Sequence, residues 1–185
     1  MRWDALFDDL EAQVDALSSA ERDAEIGDRT RSEVGRLRLV ERLRPAIGST
    51  VRVASRGQFT VAGQLTRVHP DWLLVAEGSG REALLALSGV ISVSGLSRLS
   101  AAPDSMSVVD SRLSLPLALR GIVRDRSAVH VHLVDGTVLD GTPDRAGGDF
   151  LELAIHPAGE QRRRSAVGQQ LTVAIEAVVA VRRDG

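Results

Sequence analysis

Two stretches of this chain carry the same residues in the same order, and that repetition limits its fold more than any other feature. Leu37, Leu39, Leu43, Arg44 and Ile47 recur at a constant offset as Leu113, Leu115, Leu119, Arg120 and Val123. Gly63, Asp71, Trp72 and Leu73 then match Gly141, Asp149, Phe150 and Leu151. The closing residues Leu85, Leu87, Val90, Ile91 and Val93 match Val173, Ile175, Val178, Val179 and Val181. A unit used twice within 185 residues is small, so it must close on itself to bury a core.

The texture inside the unit says how. After Thr50 the apolar residues fall in short alternating runs: Val51 and Val53, Phe59 to Leu65, Trp72 to Val75, Leu84 to Leu87, and Val90 to Val93. Gly57, Pro70-Asp71, Gly78 to Gly80 and Ser88-Gly89 punctuate them, which predicts short strands joined by tight turns. Gly63 and Gly141 fall within strands, where a small barrel bends sharply and a side chain would collide with the opposite wall. Trp72 and Phe150 open the following strand and are expected to plug their respective cores.

Ahead of the strands, Trp3, Leu6, Phe7, Leu10, Val14 and Leu17 are spaced by three and four and predict one apolar stripe on a helix. Asp4, Asp8, Asp9, Glu11 and Asp15 occupy its other face. Gly27-Asp28 interrupts the pattern and Thr30 with Glu33 has capping-box spacing, so either a second helix begins or one long helix bends, with a bend or break favoured. A second stripe runs from Val34 to Ile47 until Pro45, Gly48 and Ser49 end it. Ser97 to Ser111 reads as a linker, after which Ser114 is placed to cap a short helix with Pro116 in its first turn. The expected organisation is a helical region over 1–47, a first small barrel over 48–96, a linker over 97–112, and a helix with a second barrel over 113–185.

The order of short helix, glycine-bent strand, turn, strand and two final strands joined by a tight corner resembles the Sm-like fold. The resemblance covers roughly residues 37–96 and 113–183. It implies a mainly β protein with an N-terminal α-helix and two tandem Sm-like or SH3-like β-barrels, each preceded by a short helix. The stretch from Met1 to Val40, and the segments at Asp135-Gly136 and Gly141 to Leu153, also look like an uncharacterised group of high-GC actinobacterial proteins. Sm-like proteins that bind RNA hold a uridine with an aspartate and an asparagine after the bent strand and a basic or glycine residue near the final corner. This chain has no asparagine, Leu73 and Leu151 stand at that position, and Ser88-Gly89 and Glu176-Ala177 form the corners.

Composition excludes several chemistries. There is no cysteine, which removes disulfides, thiolate metal sites and thiol nucleophiles. All 23 basic residues are arginine, yet the formal net charge is −2, so binding to a polyanion would need a local patch. Arg162, Arg163 and Arg164 form one, in an insertion between Pro157 and Gln169, and are read either as phosphate contacts or as a solvated loop. His130 and His132 alternate on a strand at a spacing two metal ligands can use, with His156 as a third candidate; strand histidines without a metal are the simpler reading. No serine motif, carboxylate-oriented histidine or phosphate-cradling glycine loop is evident, so neither an enzyme nor a cofactor is expected. No apolar run reaches membrane-spanning length and the N-terminus lacks signal-peptide character, which predicts a cytoplasmic protein.

These features predict a binding or assembly protein whose partner is another protein or a second copy of itself. Trp3, Leu6, Phe7, Leu10, Val14 and Leu17 are its expected contact surface. The alternative is a nucleic-acid-binding regulator acting through arginine patches.

Overall fold

The computed structural model describes residues 32–102, 113–155 and 169–183. The expected helix from Trp3 to Leu17 and the arginines at 162–164 lie outside them. The chain divides into two compact units, Met1–Arg38 and Leu39–Gly185. In the first, residues 32–36 are helical and Leu37 N–H donates to Val34 O at 3.1 Å. Residues 37–38 are not helical, so the stripe from Val34 to Ile47 is not a single helix.

The second unit begins with α1 (Leu39–Leu43), which runs into a 3-10 turn at Arg44–Ala46 containing Pro45. Then follow β1 (Thr50–Ser55), β2 (Thr60–Val68), β3 (Trp72–Ala76), β4 (Glu82–Ala86) and β5 (Val90–Ser94). After α2 (Leu115–Asp125) come β6 (Val129–Leu133), β7 (Val138–Ala146), β8 (Phe150–Ile155), β9 (Gln170–Ala174) and β10 (Val178–Arg183). The protein is mainly β. Among the described residues the ten strands form one antiparallel sheet in the order β5-β1-β2-β3-β4-β10-β6-β7-β8-β9. No helix among the described residues is long and apolar enough to cross a membrane.

The strand registers of the two halves correspond. Val51 opposes Gly63 as Val129 opposes Gly141, and Trp72 opposes Ala86 as Phe150 opposes Ala174. Both long strands carry a bulge at the same place, between Leu65 and Arg67 and between Pro143 and Arg145, and the second one accommodates a proline inside a strand. Beyond each bulge the same turn closes: His69 N–H donates to Trp72 O at 2.9 Å, and Gly147 N–H to Phe150 O at 2.8 Å.

Two apolar cores lie on opposite sides of the seam where β4 meets β10. The first gathers Leu43, Val51, Val53, Leu65, Leu73 and Val75. The second gathers Leu115, Leu119, Val131, Leu151, Leu153 and Ile175. Strands β4 and β10 contribute to both. On β4, Ala83 and Leu85 join the first core while Leu84 and Ala86 join the second. On β10, Val179 and Ala180 enter the first core, Val178 and Val181 the second. Alternate residues of a strand point to opposite faces, so these two strands are apolar on both sides and form a shared wall.

Trp72 departs from the sequence expectation. It is buried, but in the second core, beside α2, instead of plugging the core of its own half. Phe150 is only half-buried and lies beneath the Arg145 guanidinium, 5.8 Å from its ring centroid. Residues 97–101 also do more than link. Arg42 holds this stretch by donating to Ser97 O at 2.7 Å, Ser100 Oγ at 3.1 Å and the Leu99 carbonyl, while Ala101 N–H donates to Glu41 O at 2.8 Å.

Gly63 is required by close approach: a Cβ there would meet Ala76 O at 2.1 Å, a backbone atom of the neighbouring strand. Gly121, inside α2, faces open space. Gly63→Ala is therefore expected to destabilise by about 1–3 kcal/mol through forced strand separation. Gly121→Ala should stabilise by about 0.5–1 kcal/mol through helix propensity. Urea unfolding of both variants checks the opposite signs.

Candidate functional site

The seam joins strands by four paired positions: Leu85 with Ala180, Leu84 with Val181, Ala83 with Arg182, and Glu82 with Arg183. Ion pairs flank it. Arg182 reaches Glu77 at 2.6 Å, and Arg183 reaches Glu82 at 3.7 Å and Asp125 at 2.9 Å. The turn between β2 and β3 completes the junction. Asp71 Oδ2 accepts from Leu115 N–H at 2.8 Å, and Trp72 Nε1–H donates to Leu113 O at 2.7 Å. Ser114 occupies the N-cap position of α2 as the sequence predicts, but its side chain makes no capping hydrogen bond. The acceptor for the first helical N–H comes from the other half of the molecule instead, which satisfies one of the orphan donors of a helix start.

A groove of about 510 Å³ runs along this junction between α2 and the outer faces of β3 and β4, walled by Trp72, Leu74, Leu84, Ala118 and Ile122. At the opposite end of the seam, Gly57 (φ +64°) packs so tightly that a Cβ would lie 2.1 Å from Leu133 O. The neighbouring Phe59 ring contacts the His132 ring, centroids 4.3 Å apart.

The two strand histidines are engaged differently, and the third candidate, His156, lies outside the described residues. His130 lies across from Asp140 in the β6–β7 ladder, and its Nδ1 meets Asp140 Oδ1. A carboxylate-oriented histidine is thus present where the sequence gave no sign of one, because the two residues are brought together only by strand pairing. Among the described residues no group of three or more His, Asp or Glu side chains is arranged to hold a metal. His132 is half-buried against Phe59, its Nε2 enclosed and without a hydrogen-bond partner among the described residues. Burial holds its pKa below the ordinary 6.5, helped by the neighbouring charges of His130 and Arg182 and opposed by Asp140 and Glu77.

The ends of the sheet are its other exposed feature. Among the described residues β5 pairs only with β1, and β9 only with β8. On β5, Ile91 is 68 % exposed; Val179, at the corresponding place on β10, is fully buried. The Asp71 and Trp72 roles at the junction were marked in the sequence only as repeat matches. Nothing in the sequence said that they act on the other half.

No protein-family model matches this chain, and no curated protein matches it at a significant level.

Two outcomes follow from the junction. Asp71→Ala should cost about 1 kcal/mol by uncapping α2, whereas Asp149→Ala, at an exposed position, should cost almost nothing. Chemical unfolding of both checks it. The second concerns pH. Folded His132 resists the proton that the unfolded chain takes up near pH 6.5, so stability should fall as pH drops below that value and level off once the folded value is passed. His132→Phe should flatten that part of the curve, read by thermal melting between pH 5 and 8.

Proposed function

We propose that this protein is a non-enzymatic assembly module built from two tandem Sm-like barrels, which takes up further copies of itself or a protein partner through its barrel edges and its N-terminal helix. The observation that carries this reading is the β4–β10 seam. It joins the fourth strand of one half to the fifth strand of the other, and the fourth strand of the second half, β9, and the fifth of the first, β5, are the two ends of the sheet. Each end is one side of the seam that already exists within the chain.

Applied between chains, the internal register places Ser92 opposite Val173, Val93 opposite Thr172, Ser94 opposite Leu171 and Gly95 opposite Gln170. Ile91 then takes the role of Val179, which inserts into the core across the seam. Burying that exposed side chain contributes about 1.5–3 kcal/mol, and unpaired edge groups gain a ladder. Such a contact is head-to-tail, so it either closes a ring or grows a filament. The charges of the internal seam are missing from the ends: Ser94 and Gly95 stand where Arg182 and Arg183 stand, with Ile155 and Gln170 in place of Glu77 and Glu82. Contacts between chains are therefore apolar and weaker than the internal seam. The helix bearing Trp3, Leu6, Phe7, Leu10, Val14 and Leu17 is the second assembly element on the strength of its sequence pattern alone.

Association should rise with protein concentration and persist in high salt, in contrast to binding through arginine–phosphate contacts, which weakens steeply. Ile91→Lys should reduce it at least tenfold while leaving circular dichroism unchanged, measured by analytical ultracentrifugation. A wild-type chain that stays monomeric at high concentration would remove edge pairing between copies as its mode of assembly.

A further inference from the structure

The internal seam is more than a backbone ladder, because one large side chain of the first half crosses it. Trp72 fills the second core together with Leu115 and fixes its ring by donating Nε1–H to Leu113 O at 2.7 Å. Leu115, at the start of α2, is only 7 % exposed. Leu84 and Ala86 on β4 face the same core and are buried.

The matching residues at the two ends of the sheet are the two sides of this same contact, and each side is left uncovered. Phe150 stands at the place of Trp72, opposite Ala174 as Trp72 is opposite Ala86, and is only half-buried. Thr172 and Ala174 on β9 stand at the places of Leu84 and Ala86 and are exposed. In the first half Leu39, at the start of α1, stands at the place of Leu115 and is 41 % exposed. The inserting side therefore belongs to the second half and the receiving side to the first. Among the described residues the strands beside them, β9 and β5, are opposite ends of one sheet and are not paired with each other.

Phe150 is positioned in advance. Arg145 lies over its ring, 5.8 Å from the centroid, and Glu152 pins that guanidinium with two hydrogen bonds, Nε to Oε2 at 3.0 Å and an Nη to Oε1 at 2.7 Å. A ring already fixed loses little freedom on docking, and aromatic anchors carry much of the energy of protein interfaces. The sizes also correspond. Ala118 shares a groove wall with Trp72, and its match in the first half is Arg42, so the smaller ring goes with the larger facing side chain.

We infer that Phe150 anchors a second copy of this chain, its ring packing on Leu39 of that copy as Trp72 packs at the start of α2 within the chain. The partner is a copy because the receiving surface that Phe150 matches is carried by the same sequence. This inference rests on the edge-pairing reading and adds selectivity to it: backbone pairing alone accepts any exposed strand, whereas the Phe150 contact requires a first half beside the ladder.

The test uses the full chain, with Phe150→Ala on the inserting side and Leu39→Glu on the receiving side, in analytical ultracentrifugation. Phe150→Leu, which keeps an apolar side chain under Arg145, replaces the alanine variant if circular dichroism shows that one unfolded. Each variant alone should associate at least tenfold more weakly than the wild type. An equimolar mixture should form dimers that do not grow, because the intact first half of the Phe150 variant receives the intact Phe150 of the Leu39 variant and every other pairing lacks a side. The inference is overturned, with edge pairing left standing, if the wild type associates and both variants associate equally well, or if both weaken and the mixture stays monomeric. A wild type that remains monomeric at high concentration overturns both.

Discussion

The backbone ladder between β4 and β10 is the contact on which the rest of this structure depends. Each half is too small to bury much apolar surface by itself, and domains of that size are marginal. The seam removes the difficulty by letting two strands serve two cores. Leu85 and Val179 face one side while Leu84 and Val181 face the other, so the wall of each core is built partly from the opposite half. Trp72 and Asp71 reinforce the same dependence, since one fills the second core and the other supplies the acceptor for the first N–H of α2. Neither core would be complete if the halves were separated.

The two halves hold their backbones to a common pattern and vary what hangs on it. The bulges after Leu65 and Pro143 and the turns closed at His69 and Gly147 correspond, and Gly63 and Gly141 each meet a carbonyl of the next strand. A shift there would move every later side chain to the wrong face. Side chains beyond the bulge answer to no such constraint. One half carries Arg145 clamped by Glu152 and capping Phe150, and the other carries Arg67 beside Leu74, with His69 stacked on Trp72. The same backbone thus carries a carboxylate-clamped arginine in one half and, among the described residues, an arginine with no acidic partner at the matching place in the other.

Among the described residues the ten-stranded antiparallel sheet has two edges, at β5 and β9, and unpaired ladder groups at a sheet edge are a template for further pairing. Here the ends are unlike each other and alike to the two sides of the internal seam. The tandem arrangement is therefore more than a doubling, because the two ends of the sheet differ in kind. The internal junction is fastened at one end by the ion pairs of Arg182 with Glu77 and Arg183 with Glu82.

The sequence by itself determined the strands, the turns between them and the glycines at the bends, because alternation of Val and Leu with polar residues and punctuation by Gly and Pro are local signals. It marked Asp71 and Trp72 as special through repetition, without saying why. What only the tertiary structure decided was partnership. Whether Trp72 fills its own half or the other, whether His130 meets Asp140, and whether an arginine finds a glutamate depend on which strands lie side by side, and side-chain pattern within one strand carries no record of its neighbour. The seam itself was equally hidden: β4 and β10 read as ordinary short apolar strands, and only their pairing, buried on both faces, made them the shared wall of two cores.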